Sequence, residues 1–158
     1  MKLTDKDYEK YLELAQEAFE VGNYVDATRL VTDVYRNCEN ENLKNEAKEK
    51  IFEWAKKLAQ ENQHTEVLNI MEMMPKKDQT TSRLAMEIAK ISEKNGRYFT
   101  AGMVCAFAGL KQEALKYAEK LAKEGEYFHA RLIASDVGAK KEAEEYAKKY
   151  REARKKLK

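Results

Sequence analysis

Apolar residues return every three or four positions along most of the chain, the spacing of amphipathic helices that bury one face. Tyr11, Leu14, Ala15 and Ala18 share one helical face and stop at Gly22-Asn23-Tyr24, after which Ala27 and Val31 resume the pattern. Ile51, Trp54, Ala55 and Leu58 do the same before Asn62, followed by Val67, Met71 and Met74 up to Pro75, and Ala85, Ile88, Ala89 and Ser92 precede Gly96. With caps and breakers added, this pattern predicts helices over 4–21, 24–37, 43–61, 65–74, 80–95, 97–108, 110–124, 126–137 and 139–156. Thr4 with Asp7 reads as an N-cap with an acidic first turn. Pro75 ends its helix, because its ring clashes with a continuing helical backbone.

The C-terminal half repeats itself. Gly96-Arg97-Tyr98-Phe99-Thr100-Ala101 recurs 29 residues later as Gly125-Glu126-Tyr127-Phe128-His129-Ala130. The same offset carries Gly109 onto Gly138, Glu113-Ala114 onto Glu142-Ala143 and Tyr117-Ala118 onto Tyr146-Ala147. Each unit reads as turn glycine, short helix, second glycine and longer helix. Such a hairpin cannot bury its own apolar face, and stacking the next hairpin on it does so through local contacts. Alanines at recurrent positions let helix backbones approach, while Tyr, Leu and Phe fill the grooves between them. The turns recur at unequal intervals: Gly22 to Asn62 is 40 residues, Asn62 to Gly96 is 34, and Gly96 to Gly125 is 29.

An aromatic residue, Leu-Ala, a small residue, a turn glycine with a nearby tyrosine and then alanine, as in Tyr11 to Ala27, resembles a tetratricopeptide repeat. The resemblance covers nearly the whole chain and concerns the fold type, with no specific subfamily. It implies an all-α fold, a right-handed α-α superhelix of about four helical hairpins plus a C-terminal capping helix, forming one domain over 1–158. It also implies a concave groove lined by the first helix of each hairpin. Matching each first helix to the family pattern places Leu12, Gln16 and Phe19 there, then Phe52 and Lys56, Met86 and Lys90, Leu115 and Glu119, and Lys148. Such a groove, apolar with lysines at 56, 90 and 148, suits a peptide with some acidic character. The family's carboxylate clamp is not matched, since Leu12 and Gln16 stand at its places, which argues against chaperone-tail binding.

Composition agrees with helices, with 37% charged residues, six glycines and one proline. Thirty basic against 28 acidic residues leave a net charge of +2, too little to coat nucleic acid in general. The exception is local: from Tyr146 onward there are seven basic residues and one acid, Glu152, a net of +6. That stripe reads first as a solvated helix whose cations complement the negative end of its own dipole, and second as an RNA-binding surface. A polar, charged start at Met1 to Asp7 lacks the apolar segment of a secretory signal, and Phe99 to Leu110 falls short of the roughly 20 residues that span a bilayer. The expected setting is cytoplasmic, with no membrane partner.

Chemical motifs are scarce. His64 and His129 have no second ligand or triad partner at a suitable spacing and read as surface or turn residues. Cys105, between Val104 and Ala106, reads as a small buried hydrophobe, whereas Cys38 at a helix end reads as exposed and oxidisable. The Met71 to Met74 cluster and Trp54 read as core, and no glycine pattern cradles a phosphate. The sequence therefore predicts a scaffold that binds an unidentified protein or peptide, as monomer or homodimer, with no cofactor, metal or catalytic residue. Nucleic-acid binding and self-association are the alternatives.

Overall fold

Left-handed residues stand at most of the breaks between helices. The computed structural model describes residues 2–157, and among them nine α-helices and no strand form the regular structure. These are α1 (Asp5–Glu20), α2 (Tyr24–Asn37), α3 (Glu41–Gln60), α4 (His64–Met73), α5 (Gln79–Lys94), α6 (Tyr98–Phe107), α7 (Lys111–Lys123), α8 (Tyr127–Asp136) and α9 (Lys140–Lys156). Every bound lies within two residues of its expected place. Thr4 caps α1 in a reciprocal box: Asp7 N–H donates to Thr4 Oγ1 at 3.2 Å, and Thr4 N–H donates to Asp7 Oδ2 at 2.8 Å. The Thr4 N–H, together with the Thr4 hydroxyl that donates to Asp7 Oδ2 at 2.9 Å, holds the Asp7 carboxyl below its ordinary range.

One turn is used again and again. After α1, Gly22 N–H donates to Phe19 O at 3.1 Å and Asn23 N–H to Ala18 O at 2.8 Å, the paired bonds that close a helix on a left-handed residue. Asn23 is at once the cap of α2. The same two bonds recur at Asn62, Gly96, Gly109, Gly125 and Gly138. Asn62, at φ 59°, does a glycine's work, because its short amide side chain tolerates the left-handed region better than most side chains do. Differences in helix length explain the unequal repeat spacing. α2 and α3 are four and seven residues longer than α6 and α7, which accounts for the difference between 40 and 29.

The helices gather into two compact units, Met1–Pro75 and Lys76–Lys158. In the N-terminal unit, α1 packs on α2, α2 on α3 and α4, and α3 on α4. Its core is built from residues three and four apart, among them Leu12 and Ala15, Val31 and Val34, Ile51, Trp54 and Leu58, and Val67, Ile70 and Met71. Burying each of the larger aliphatics contributes about 1.5–3 kcal/mol, and this burial holds the hairpins together.

In the C-terminal unit, α5 packs on α6, α6 on α7 and α8, α7 on α8, and α8 on α9. Ala101, Ala114, Ala118, Ala130 and Ala134 are all fully buried, so the helices meet almost backbone to backbone. The closest approach is at Gly102: a Cβ there would collide with Ile133 Cδ1 and come within 3.2 Å of Tyr117 Cβ. No residue of α9 is wholly buried, in keeping with a helix that covers α8 with one side and faces water with the other. Thr81, near the start of α5, is fully buried and its hydroxyl has no hydrogen-bond partner. Thr81→Val keeps the shape and removes the stranded hydroxyl, so it should stabilise the protein by about 1 kcal/mol in denaturant titrations. A loss of stability would mean that the hydroxyl has a partner after all.

Candidate functional site

A concave surface of the N-terminal unit lies between α1 and the first half of α3. On α1, Glu9, Glu13 and Glu17 recur every four residues and so share one helical face, with Leu12 and Gln16 beside them. Leu43, Glu46 and Lys50 complete the opposite wall, from α3. The groove encloses about 570 Å³, floored by the buried Leu12 and Leu43 and rimmed by the carboxylates of Glu9, Glu13, Glu17 and Glu46. Its one ammonium is tied down: Lys50 Nζ donates to Gln16 Oε1 at 2.9 Å, and Gln16 Nε2 donates to Glu20 Oε1 at 3.0 Å.

An aromatic pair fixes how α1 meets α3. Phe19 stacks on Trp54 with ring centroids 4.5 Å apart and planes 5° from parallel. Lys50 stands 5.8 Å from the Trp54 ring and Lys57 5.7 Å from the Phe19 ring, so the stack ends in a cation at each side. Asp5 with Asn40, Gln16 with Lys50 and Phe19 with Trp54 all meet across separations of 34 or 35 residues. The contacts between α1 and α3 thus run at a shorter offset than the 40 residues between the turns that end them. Of the residues expected to line a groove, Leu12 and Gln16 do so, Leu12 as buried floor rather than exposed contact. Phe19 is half-buried under Trp54, and Phe52 and Lys56 are half-buried on α3 away from the groove lining.

The remaining candidates lie in the C-terminal unit. Met86 and Lys90 are exposed on α5, Leu115 is half-buried on α7, Glu119 is exposed and 3.5 Å from Lys123 on its own helix, and Lys148 is exposed on α9. The α1–α3 groove is acidic, and the lysines expected to line a groove, Lys56, Lys90 and Lys148, stand outside it. The Glu9, Glu13, Glu17 stripe was readable in the sequence, but its partner wall on α3 depends on the 34–35 residue register.

Elsewhere the polar clusters are structural. Glu93 accepts from Tyr117 Oη at 2.9 Å and from the Lys120 ammonium, which also lies 5.3 Å from the Tyr98 ring. The Lys120 and Tyr117 hydrogen bonds hold the Glu93 carboxyl low, and burial raises the Tyr117 phenol. His129 Nδ1 is 3.1 Å from Glu126 Oε2, and its ring packs 4.8 Å from Phe99. Among the described residues no group of His, Cys, Asp and Glu is placed to hold a metal ion. Cys105 is fully buried, and desolvation pushes its thiol up to about 12. Cys38, expected to be exposed, is 2% exposed because the chain leaving α2 is extended and turns it inward. On α9, Lys149 lies 6.0 Å from the Tyr127 ring and Arg154 5.8 Å from the Tyr150 ring. These cations engage aromatic faces of the same chain. No described helix is long and apolar enough to cross a membrane.

Fold and groove define an all-α protein of packed helical hairpins with an acidic, leucine-floored groove in its N-terminal unit. Comparison of the chain with protein families, curated proteins and solved structures finds no match to any of them.

Proposed function

We propose that this protein is a tetratricopeptide-like interaction scaffold whose N-terminal unit holds a basic, amphipathic segment of a protein partner in the α1–α3 groove. The observation that carries this reading is the pairing of a buried leucine floor with four rim carboxylates. Apolar side chains of a partner helix or strand would seat on Leu12 and Leu43, and its lysines or arginines would reach the rim. Each such cation about 4 Å from a carboxylate gains roughly 1 kcal/mol in water, so recognition needs several at once. The tetratricopeptide-like assignment draws on the sequence, where Gly96 follows Asn62 by 34 residues, the period of that repeat.

Fluorescence polarisation with a leucine/lysine amphipathic peptide, and with its leucine/glutamate counterpart, tests the reading. The basic peptide should bind, more weakly as salt rises, and the acidic one should not. Glu13 and Glu46 are exposed, so Glu13→Lys with Glu46→Lys should leave helicity intact and weaken the basic peptide at least about tenfold. Equal binding of both peptides, or binding indifferent to the double reversal, would discard the groove.

A further inference from the structure

The repeat itself states what covers each hairpin. Counted from their turn residues, Leu14 and Leu30 of α1–α2 correspond to Trp54 and Ile70 of α3–α4 and to Tyr117 and Ile133 of α7–α8. In both later hairpins a preceding hairpin lies on these positions: Trp54 stacks on Phe19, and Tyr117 and Ile133 close around Gly102 of α6. Trp54 and Ile70 are each 2% exposed and Ile133 is fully buried. Leu14, by contrast, is 41% exposed, with Val21 at 81% and Val25 at 48% nearby. Among the described residues nothing is stacked on the outer face of α1–α2, an apolar stacking face. A shallow recess of about 510 Å³ runs across it, edged by Glu17, Asp26 and Arg29.

The complementary face lies on α8. The 29-residue offset carries Gly102 onto Arg131, so the surface around Arg131 is the side on which a following hairpin would stack. α9 covers part of α8 and leaves Phe128 41% and Leu132 37% exposed. Beside them a recess of about 380 Å³ is edged by Arg131, Lys140 and Glu144. The two recesses mirror each other in charge: two acids and one base edge the one on α1–α2, two bases and one acid the one on α8–α9.

From this pairing we propose that the protein associates head to tail, the α1–α2 outer face of one copy docking on the α8–α9 face of a second copy. Such a contact is heterologous, so each copy keeps one free face of each kind and assembly continues with concentration. Arg131 stands where the internal stack requires glycine, so copies cannot approach as closely as hairpins do within the chain. The contact is therefore reversible and salt-sensitive, with ion pairs contributing where tight packing cannot.

Sedimentation over a range of concentration tests this with three full-length proteins. The native chain should exceed its 18.4 kDa monomer mass as concentration rises at low salt and return to it at high salt. Leu14→Lys with Val21→Lys alters only exposed side chains that do not line the peptide groove, as does Arg131→Glu with Leu132→Glu. Each variant alone should stay monomeric to concentrations at least about tenfold higher. An equimolar mixture of the two should form a heterodimer and nothing larger, because each retains the one face the other needs. A native chain that remains monomeric throughout would overturn the proposal. So would a mixture that fails to pair, or dimers of the Arg131 and Leu132 variant alone, which would mean that α1–α2 faces meet each other about a twofold axis.

Discussion

Gly102→Val should lower stability by about 3 kcal/mol, with Gly102→Ala falling well short of that. Any Cβ at this position collides with Ile133 Cδ1, and Ile133 is fully buried and cannot swing away into solvent. Overfilling a packed interface typically costs about 1–3 kcal/mol. Alanine offsets part of that through its better helix propensity, worth about 0.8–1 kcal/mol over glycine, whereas valine adds two methyls and recovers little of it. Each kcal/mol moves the melting temperature of a chain this size by about 2–4 °C, so the valine variant should melt about 6–12 °C lower by circular dichroism. Equal melting of native, alanine and valine chains would show that α6 and α8 are not in close contact.

Trp54→Ala is expected to be the most damaging single truncation in the N-terminal unit, costing about 3–5 kcal/mol. Trp54 is 2% exposed and joins α3 to α1 through Phe19, and its ring also receives Lys50. Removing it leaves a cavity, an unstacked Phe19 and a loosened Lys50 to Gln16 bridge, so groove and core fail together. Trp54→Phe should retain the stack and lose less than half as much. Denaturant midpoints followed by circular dichroism measure both, and an alanine variant within about 1 kcal/mol of native would contradict the stack. Trp54 is the chain's single tryptophan, so tryptophan emission, excited selectively over the tyrosines, reports on this unit alone.

Helix positions were legible because local chemistry fixes them. A left-handed residue, two backbone hydrogen bonds and an apolar stripe are properties of adjacent residues, and even Asn62 could be recognised as a substitute for glycine. What a stretch of sequence does not carry is the register between helices that are neighbours in space. α1 meets α3 at 34–35 residues while their turns lie 40 apart, since the long α3 begins its contact a turn and more before the matched position. Phe52 and Lys56 therefore lie outside the α1–α3 recess, whose α3 wall is Leu43, Glu46 and Lys50. Cys38 was misjudged for a related cause: a helix end suggests exposure, yet its extended backbone directs the thiol inward. Gly102 gave a partial signal, a glycine inside a helix, but the atoms that demand it belong to α7 and α8.

Seven of the eight connectors between helices are three residues long, and the eighth has five. Segments that short have no slack to fold over a ligand, to swing as a gate, or to diversify without dragging two helices along. Any new specificity in this protein must therefore be acquired through side chains standing on helical surfaces. Random insertions should be tolerated at the chain's ends far more readily than at any of its corners.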